Sequence, residues 1–345
     1  MGIRAEFRVY RRAFRQPLMT AHGAWGERQG ILVKLTDTAG RTGYGEIAPL
    51  PWFGSETLEA AIALCQSLPT PLDLADIQAI APTLPACQFG LESAWESLMQ
   101  HDTTSSHPLP DWEPPHLSAL LPAGNGANLQ SSIAPWKLLW DKGYRTFKQK
   151  IGVGEWATEL AAFAELIRQL PPSAKLRLDA NGGLDWDTAC RWLEQCAAHP
   201  QVEFLEQPLA PSQFEAMLKL GDRFPTPLAL DESVAKLAHL HACWQRGWRG
   251  VVVMKAAIAG FPSQLRAFCR QHPVDLVWSS ALETAVARRY IQAHLIQPRA
   301  AGASHSETPP KRALGYGVAH WFCDPAFEQS SAAALWQTLN PSETF

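Results

Sequence analysis

The feature that most constrains the fold of this chain is an alternation of short apolar runs and helical stretches that begins near residue 117. Apolar runs such as TFKQKIG (146–152) and GVVVMKAA (250–257) have the length and composition of buried strands. Longer stretches with helical apolar spacing lie between them, for example WATELAAFAELIRQL (156–170). Alternating strands and helices form a parallel sheet. Seven or eight such units over roughly 200 residues predict a TIM-type barrel.

Five successive apolar runs of this region end in charged residues. The first, FKQK, ends in two lysines that share one face of a strand, because side chains two apart point the same way. Parallel strands of a barrel end at one mouth, where such barrels place their chemistry, so we expect these charges to meet there. A single charge at a strand end usually caps a helix or faces solvent, but five in succession indicate a site. The residues concerned are Lys148, Lys150, Asp179, Glu206, Asp231 and Lys255.

The three carboxylates of this set predict a metal site. Carboxylates that meet without a counter-ion repel one another, and a divalent cation removes the conflict. Oxygen ligands suit Mg²⁺, whereas zinc is disfavoured because no His or Cys stands at these strand ends. We therefore expect Asp179, Glu206 and Asp231 to bind Mg²⁺, with Mn²⁺ able to replace it.

The lysines of the set predict proton transfer. Lys150 and Lys255 are expected on opposite sides of the barrel, facing each other across a substrate. A lysine placed beside other positive charge can act as a general base. The metal and Lys148 would hold the negative charge that develops when the base removes a proton α to a carboxylate.

The rest of the chain suggests a second domain and a short tail. Residues 3–48 alternate like strands, and residues 55–100 have helical spacing. Together they predict an α+β domain over 1–110, followed by the barrel over 111–324. The final segment, 325–345, contains a helical patch that we expect to pack back on the first domain.

Composition excludes several classes of function. The net charge of -3 provides no basic field for nucleic acid, and no apolar run is long enough for a membrane span. The N-terminus lacks the apolar core of a signal peptide. The seven cysteines are odd in number and show no CxxC spacing, so they indicate reduced, mostly buried thiols. We expect a cytoplasmic enzyme with a small-molecule carboxylate substrate and no nucleic-acid, membrane or obligate protein partner.

The strand-end motifs resemble those of the enolase superfamily, in its muconate-lactonizing-enzyme-like subgroup. The matching segments are FKQKIG, LRLDANGG, EFLEQPL, ALDES and VVVMKAAIAGF. The resemblance covers essentially the whole chain. It implies a (β/α)7β barrel with an N-terminal α+β capping domain. It also implies that Lys150 and Lys255 are the acid/base pair, and that Asn181 and Glu232 orient the metal ligands.

Three loop segments resemble those of o-succinylbenzoate synthases: 43–61, 278–284 and 313–326. That resemblance implies Mg²⁺-dependent syn dehydration of 2-succinyl-6-hydroxy-2,4-cyclohexadiene-1-carboxylate to 2-succinylbenzoate and water. The reaction passes through an enediolate and belongs to menaquinone or phylloquinone synthesis. Lys255 would stabilise the ring of the intermediate by a cation–π contact. The residues expected to contact substrate are Trp52, Phe53, Ser279, Ser280 and Gly315.

Other functions stay open at this point. An N-acylamino-acid racemase or dipeptide epimerase uses the same lysines and metal, and it could coexist as a second activity. Dipeptide epimerases usually carry an Asp-x-Asp on strand eight, which is not found at 315–322. A non-catalytic barrel is disfavoured by the intact charged set. Trp52 and Phe53 serve either packing or active-site cover, and 17–30 resembles a lid loop.

Overall fold

The structure is a computed structural model that describes residues 2–20, 23–100, 112–121, 135–296 and 311–339. The N-terminal domain begins with a three-stranded antiparallel sheet in the order β1-β2-β3. Its strands alternate between a face in the core and a face that is partly exposed, as the sequence pattern requires. The strands are β1 (Arg4–Thr20), β2 (Gly23–Thr36) and β3 (Thr42–Ile47).

The predicted loop at 17–30 is wrong. β1 and β2 instead extend as a long hairpin, with a register shift between Ala13 and Leu18. Beyond that irregularity the strands pair again, with Leu18 opposite Trp25. The polar and glycine residues that suggested a loop therefore lie in the outer part of a β-ribbon. Residues 21–22 lie outside the described residues.

Three helices complete this domain and pack on one face of the sheet. They are α1 (Leu58–Ser67), α2 (Leu74–Gln78) and α3 (Pro85–Met99). The third lies against β3, where two glycines face each other. A Cβ at Gly45 would lie 2.1 Å from the carbonyl oxygen of Gly90. Only glycine allows this close approach of strand and helix.

Eight parallel strands form the second domain, in the order β10-β9-β8-β7-β6-β5-β4-β11. A bridge between Ser279 and Gly315 joins the two end strands and closes the barrel. The predicted TIM-type barrel is therefore confirmed. The strands are β4 (Leu117–Leu120), β5 (Thr146–Lys150), β6 (Lys175–Asp179), β7 (Val202–Glu206), β8 (Leu228–Leu230), β9 (Val251–Met254), β10 (Asp275–Trp278) and β11 (Leu314–Gly317).

Each of the first seven barrel strands is followed by a helix, which gives the (β/α)7β pattern. Phe204, Val253 and Val277 help fill the barrel interior with apolar side chains. None of the helices in the described ranges combines the length and apolar character that a membrane span requires. The helices are α4 (Pro135–Asp141), α5 (Trp156–Gln169), α6 (Trp186–Ala197), α7 (Phe214–Arg223), α8 (Leu237–Gln245), α9 (Pro262–Gln271) and α10 (Ala285–Ile291).

The C-terminal segment contains two short helices, α11 (Ala326–Gln329) and α12 (Ala332–Thr338). Trp336 and Leu335 form a buried cluster with Tyr10 of β1. The Arg8 guanidinium donates hydrogen bonds to the carbonyl oxygens of Trp336 and, at 3.1 Å, of Leu339. The predicted boundary near residue 110 lies outside the described residues, and the division at 1–110, 111–324 and 325–345 stays a prediction.

Candidate active site

The charged strand ends meet at one level of the barrel. Lys150 is the register partner of Asp179, which is in turn the partner of Glu206. Asp231 and Lys255 immediately follow β8 and β9. The three carboxylates are 1–3% exposed. Burial of several charges at the mouth of an otherwise apolar barrel is costly unless the charges are paired, so their partners define the site.

Lys148 links two of the carboxylates. Its Nζ lies 2.8 Å from Asp179 Oδ2 and 2.7 Å from Glu206 Oε1. Burial lowers the pKa of an ammonium group, but the two carboxylates outweigh it and raise the pKa of Lys148. Burial and the nearby Asp179 raise the pKa of Glu206 to about 8. Lys148 is therefore a fixed cation at the centre of the cluster.

Lys150 and Lys255 lie on opposite sides of the barrel. Their strands, β5 and β9, are four positions apart in the closed eight-stranded sheet. Lys255 forms an ion pair with Asp231, and its Nζ lies 3.7 Å from the centre of the Phe53 ring. Lys150 is half-buried, and its side chain has no hydrogen bond or ion pair with any described residue. Its amine is thus available to a molecule bound at the mouth.

Asn181 and Glu232 lie beside the carboxylates. Asn181 Nδ2 donates to Asp179 Oδ2 at 3.3 Å and to Glu232 Oε1 at 3.1 Å. The backbone of Asn181 has a left-handed φ of 45°, a conformation that Asn tolerates better than most residues. Burial and Asp231 raise the pKa of Glu232 to about 7. Its Oε2 is buried without a hydrogen-bond partner in the described structure.

Gln207 is a site residue that the sequence reasoning missed. It is fully buried, with a left-handed φ of 37°. Its Oε1 accepts hydrogen bonds from the backbone N–H groups of Asp231 and Ser233, both at 3.1 Å. Gln207 therefore fixes the chain where Asp231 leaves β8. The only sequence signal was its place directly after Glu206, in the motif FLEQP.

Ser279 and Ser280, in the turn after β10, were predicted to donate hydrogen bonds to substrate. Most of their donor groups instead form hydrogen bonds within the protein. The backbone N–H of Ser279 donates to Met254 O at 2.9 Å, and that of Ser280 donates to Gly315 O at 3.2 Å. The Ser280 hydroxyl donates to Glu283 Oε2 at 3.0 Å and accepts from the N–H of Leu282 at 2.8 Å. The Ser280 hydroxyl and both backbone groups are thus occupied. The Ser279 hydroxyl has no hydrogen bond with a described residue and faces Gly315.

The carboxylate of Glu283 stabilises this turn by accepting hydrogen bonds from residues of the turn itself. Its Oε2 also accepts from the backbone N–H of Ala281 at 2.6 Å. Burial, together with the nearby Glu46 carboxylate, raises the pKa of Glu283 to about 7. Leu282 has a left-handed φ of 62°, which is costly for a γ-branched residue outside such a constrained turn.

The capping domain covers the mouth with an aromatic turn at Pro51–Phe53. Phe53 lies over Lys255, so it contacts the charged set directly. Trp52 is 40% exposed, and its ring lies nearly perpendicular to that of Trp25, with the ring centres 4.6 Å apart. The structure therefore places Phe53 against a site lysine and Trp52 at the outer rim.

The donor set fits a hard divalent cation by chemistry. Asp179, Glu206 and Asp231 supply carboxylate oxygens from three successive strands, which is the ligand type that Mg²⁺ prefers. Burial first, and then the neighbouring Asp179 carboxylate, raise the pKa of Glu206, which is the expected effect of crowding buried carboxylates. Among the described residues, no three potential ligands are close enough as they stand to enclose an ion. Lys148 and Lys255 instead make the ion pairs with these three carboxylates.

Two protein-family models match the chain. The Enolase C-terminal domain-like model matches residues 134–313, and the MenC, N-terminal domain model matches residues 5–98. The o-succinylbenzoate synthase of Thermosynechococcus vestitus is 40% identical over 98% of this chain and 100% of its own length. The chain belongs to the o-succinylbenzoate synthase family of the enolase superfamily.

Solved structures agree with this membership. The o-succinylbenzoate synthase of Thermosynechococcus elongatus, complexed with Mg in its active site, superposes with a TM-score of 0.83. It is 41% identical, and the match covers 98% of this chain and 100% of that one. The L-Ala-D/L-Glu epimerase of Bacillus subtilis has a TM-score of 0.69 at 20% identity, covering 96% of this chain and 92% of that one. At that identity the likeness indicates the fold alone.

Proposed function

We propose that this chain is an o-succinylbenzoate synthase. It dehydrates 2-succinyl-6-hydroxy-2,4-cyclohexadiene-1-carboxylate to 2-succinylbenzoate and water, in menaquinone or phylloquinone synthesis. The observation that carries the proposal is the placement of Lys150 and Lys255 on opposite sides of the mouth, with three buried carboxylates between them. Full-length similarity to an o-succinylbenzoate synthase supports the choice of substrate.

Lys150 is assigned both proton transfers. As a neutral amine it removes the proton α to the ring carboxylate and becomes an ammonium. It then gives that proton to the departing hydroxyl on the same ring face, so water leaves and the amine is restored. One base serves both steps because elimination is syn, and the absence of a described partner for Lys150 leaves it available.

The other charged residues act on the substrate's negative charge. Lys148, fixed between Asp179 and Glu206, lies where the carboxylate of the substrate gains charge during proton removal. Lys255, on the far side, faces the ring and stabilises it by a cation–π contact. Asp179, Glu206 and Asp231 would hold Mg²⁺, which supplies Lewis-acid polarisation of the substrate carboxylate when bound.

The succinyl arm has to reach the rim of the barrel. The Ser279 hydroxyl, without a described partner, is the donor that the turn after β10 leaves available for the distal carboxylate. Gly315 keeps the space beside it open, because a Cβ there would lie 2.7 Å from Ser279 Oγ. Trp52 and Phe53 supply aromatic side chains to the mouth from the capping domain, with Phe53 over Lys255.

The proposal is tested by replacing Lys150 with alanine and following conversion of the cyclohexadiene carboxylate. We expect kcat to fall by about 10³-fold, since general acid–base catalysis contributes roughly that factor. Lys175→Ala is the matched control, because Lys175 begins β6 at the other end of the barrel and is exposed. Chelation of divalent metal should abolish turnover, and added Mg²⁺ should restore it. Full activity in Lys150→Ala, or after chelation, would contradict the assignment.

Racemisation of N-acylamino acids is a second candidate, favoured by the opposed lysines alone. Two bases on opposite faces can move a proton from one side of a carbon to the other. The aromatic dipeptide epimerase of Herpetosiphon aurantiacus is 27% identical over 73% of each chain. Solvent deuterium incorporation together with inversion of configuration in N-succinyl amino acids measures this activity. Incorporation without inversion, or no incorporation, would contradict racemisation of these substrates.

A further inference from the structure

Glu46 belongs to β3 of the capping domain, yet its carboxylate reaches the barrel. The residue is fully buried. It accepts hydrogen bonds from the backbone N–H groups of Thr284 at 2.8 Å and Ala287 at 3.1 Å, and also from the Thr284 hydroxyl. Tyr10 of β1, two strands away in the same sheet, donates a fourth at 2.7 Å. A carboxylate with four donors has its acceptor capacity filled, so Glu46 is a rigid joint between the two domains.

On one side of this joint the chain runs directly to the aromatic turn. The buried Arg28 donates to the carbonyl oxygens of Ala48 at 2.6 Å and Pro49 at 2.7 Å. The N–H of Leu50 donates to the hydroxyl of Ser55 at 2.6 Å, which closes the turn. Residues 46–55 therefore have little conformational freedom. The position of Phe53 over Lys255 consequently depends on the position of Glu46.

On the other side the joint holds the turn that carries Ser279. Thr284 is the last residue of that turn, and Glu46 occupies both its N–H and its hydroxyl. Arg12 of the capping domain donates to the carbonyl oxygen of the preceding Glu283 at 3.3 Å. Leu282 lies in this turn with a left-handed backbone conformation, which leaves few alternative ways to connect Ser279 with Thr284. A displacement of Thr284 should therefore also displace Ser279.

We propose that Glu46 is a positioning residue for the substrate's succinyl arm. It fixes the separation between Phe53, on the capping side, and Ser279, on the barrel side, and these are the two walls between which the arm lies. The inference rests on the proposed function, because that function supplies the arm. It assigns Glu46 no contact with the reacting atoms.

The test compares Glu46→Gln with Glu92→Gln. Glu92 makes another buried carboxylate contact between the domains, accepting from the N–H of Ser263 at 2.9 Å and from its hydroxyl at 2.7 Å. Both substitutions put an amide where backbone N–H groups need an acceptor, so both should lower the melting temperature. Glu92 contacts neither 46–55 nor 279–284 in the described hydrogen-bond network.

Binding of 2-succinylbenzoate and of benzoate is measured by calorimetry with Mg²⁺, alongside kcat and KM. In Glu46→Gln we expect Kd for 2-succinylbenzoate and KM to rise roughly tenfold, as for a wall that is displaced. Benzoate has no arm, so its Kd should stay unchanged. Glu92→Gln should bind both ligands as the wild type does.

Equal weakening of both ligands in Glu46→Gln, or the same arm-specific loss in Glu92→Gln, would overturn the role of Glu46. So would an unchanged Kd for 2-succinylbenzoate. If Glu46→Gln does not fold, Thr284→Ala removes one of its donors and should raise the same Kd about threefold; no change would again refute the role. A wild type that binds no 2-succinylbenzoate would instead overturn the proposed function, and this inference with it.

Discussion

Replacing Glu328 with glutamine tests the ion pairs that hold the C-terminal segment. The carboxylate of Glu328, in α11, contacts both Arg12 of β1 and Arg288 of α10. One side chain therefore joins three distant parts of the chain. The side chain of Glu328 is 10% exposed, that of Arg12 is 1% exposed and that of Arg288 is 13% exposed. Glutamine preserves the shape of Glu328, removes its charge and replaces one acceptor oxygen with an NH2 donor.

The expected loss in the free energy of unfolding depends on the contacts that Arg12 and Arg288 retain after the substitution. Breaking a buried pair by removing one partner costs about 3–5 kcal/mol, because the other charge stays buried. Arg288 still donates to the carbonyl oxygen of Glu328 at 2.9 Å, and Arg12 to that of Glu283 at 3.3 Å. The Arg12 guanidinium also lies 3.5 Å from the centre of the Phe322 ring. These contacts offset part of the loss, so we expect about 3 kcal/mol, the lower end.

Urea unfolding followed by circular dichroism measures this difference. Glu165→Gln is the matched control, because Glu165 pairs with the exposed Arg168 on the surface of α5. That substitution should leave the free energy of unfolding nearly unchanged, because exposed ion pairs contribute little. A loss below about 1 kcal/mol in Glu328→Gln would refute the idea that buried charge pairing secures the segment.

The pH dependence gives an independent check. Burial would raise the pKa of Glu328, but Arg288 and Arg12 outweigh it and hold the pKa below its usual value. A carboxylate whose pKa is lowered in the folded state stabilises the protein fully at pH values above its pKa in the unfolded state, which is about 4.3 for glutamate. That contribution is lost as pH falls through the folded value. The stability gap between wild type and Glu328→Gln should therefore shrink in acid, and a constant gap would exclude the carboxylate as its source.

Two further substitutions probe the mouth of the barrel. Gly315→Ala places a Cβ 2.7 Å from Ser279 Oγ, so KM should rise about tenfold with little change in Mg²⁺ affinity; an unchanged KM would show that the succinyl arm lies elsewhere. Gln207→Leu leaves the N–H groups of Asp231 and Ser233 without an acceptor, which should cost about 3 kcal/mol in urea unfolding and also lower kcat. Normal kcat in a destabilised Gln207→Leu would limit Gln207 to a structural role.

The sequence predicts the barrel and its charged mouth because both depend on local pattern. The period of apolar residues identifies each strand, and parallel strands of a closed barrel must end at the same side. Once the strands are located, the meeting of Asp179, Glu206 and Asp231 follows from topology. The capping fold was likewise readable as strands followed by helices.

What the sequence did not predict depends on contacts between distant segments. Nothing near Ser280 indicates that Glu283 occupies its hydroxyl, and nothing near Glu46 indicates a partner 238 residues away. The sequence predicts a loop at 17–30 because this segment contains glycine and polar residues that are typical of turns. The strand pairing that resumes after the register shift leaves no local sequence signal. The ion pairs of Lys148 depend on side-chain directions, which strand spacing leaves undetermined.

The docking of Trp336 against Tyr10 has a consequence for biosynthesis. A ribosome releases the N-terminal sheet long before residues 326–338, which supply part of the cover of its outer face. The first domain must therefore remain incomplete, with apolar surface uncovered, until α11 and α12 have been synthesised. Terminating the chain before α12 would leave that surface open permanently, so a late nonsense mutation should cause aggregation although every catalytic residue has already been made.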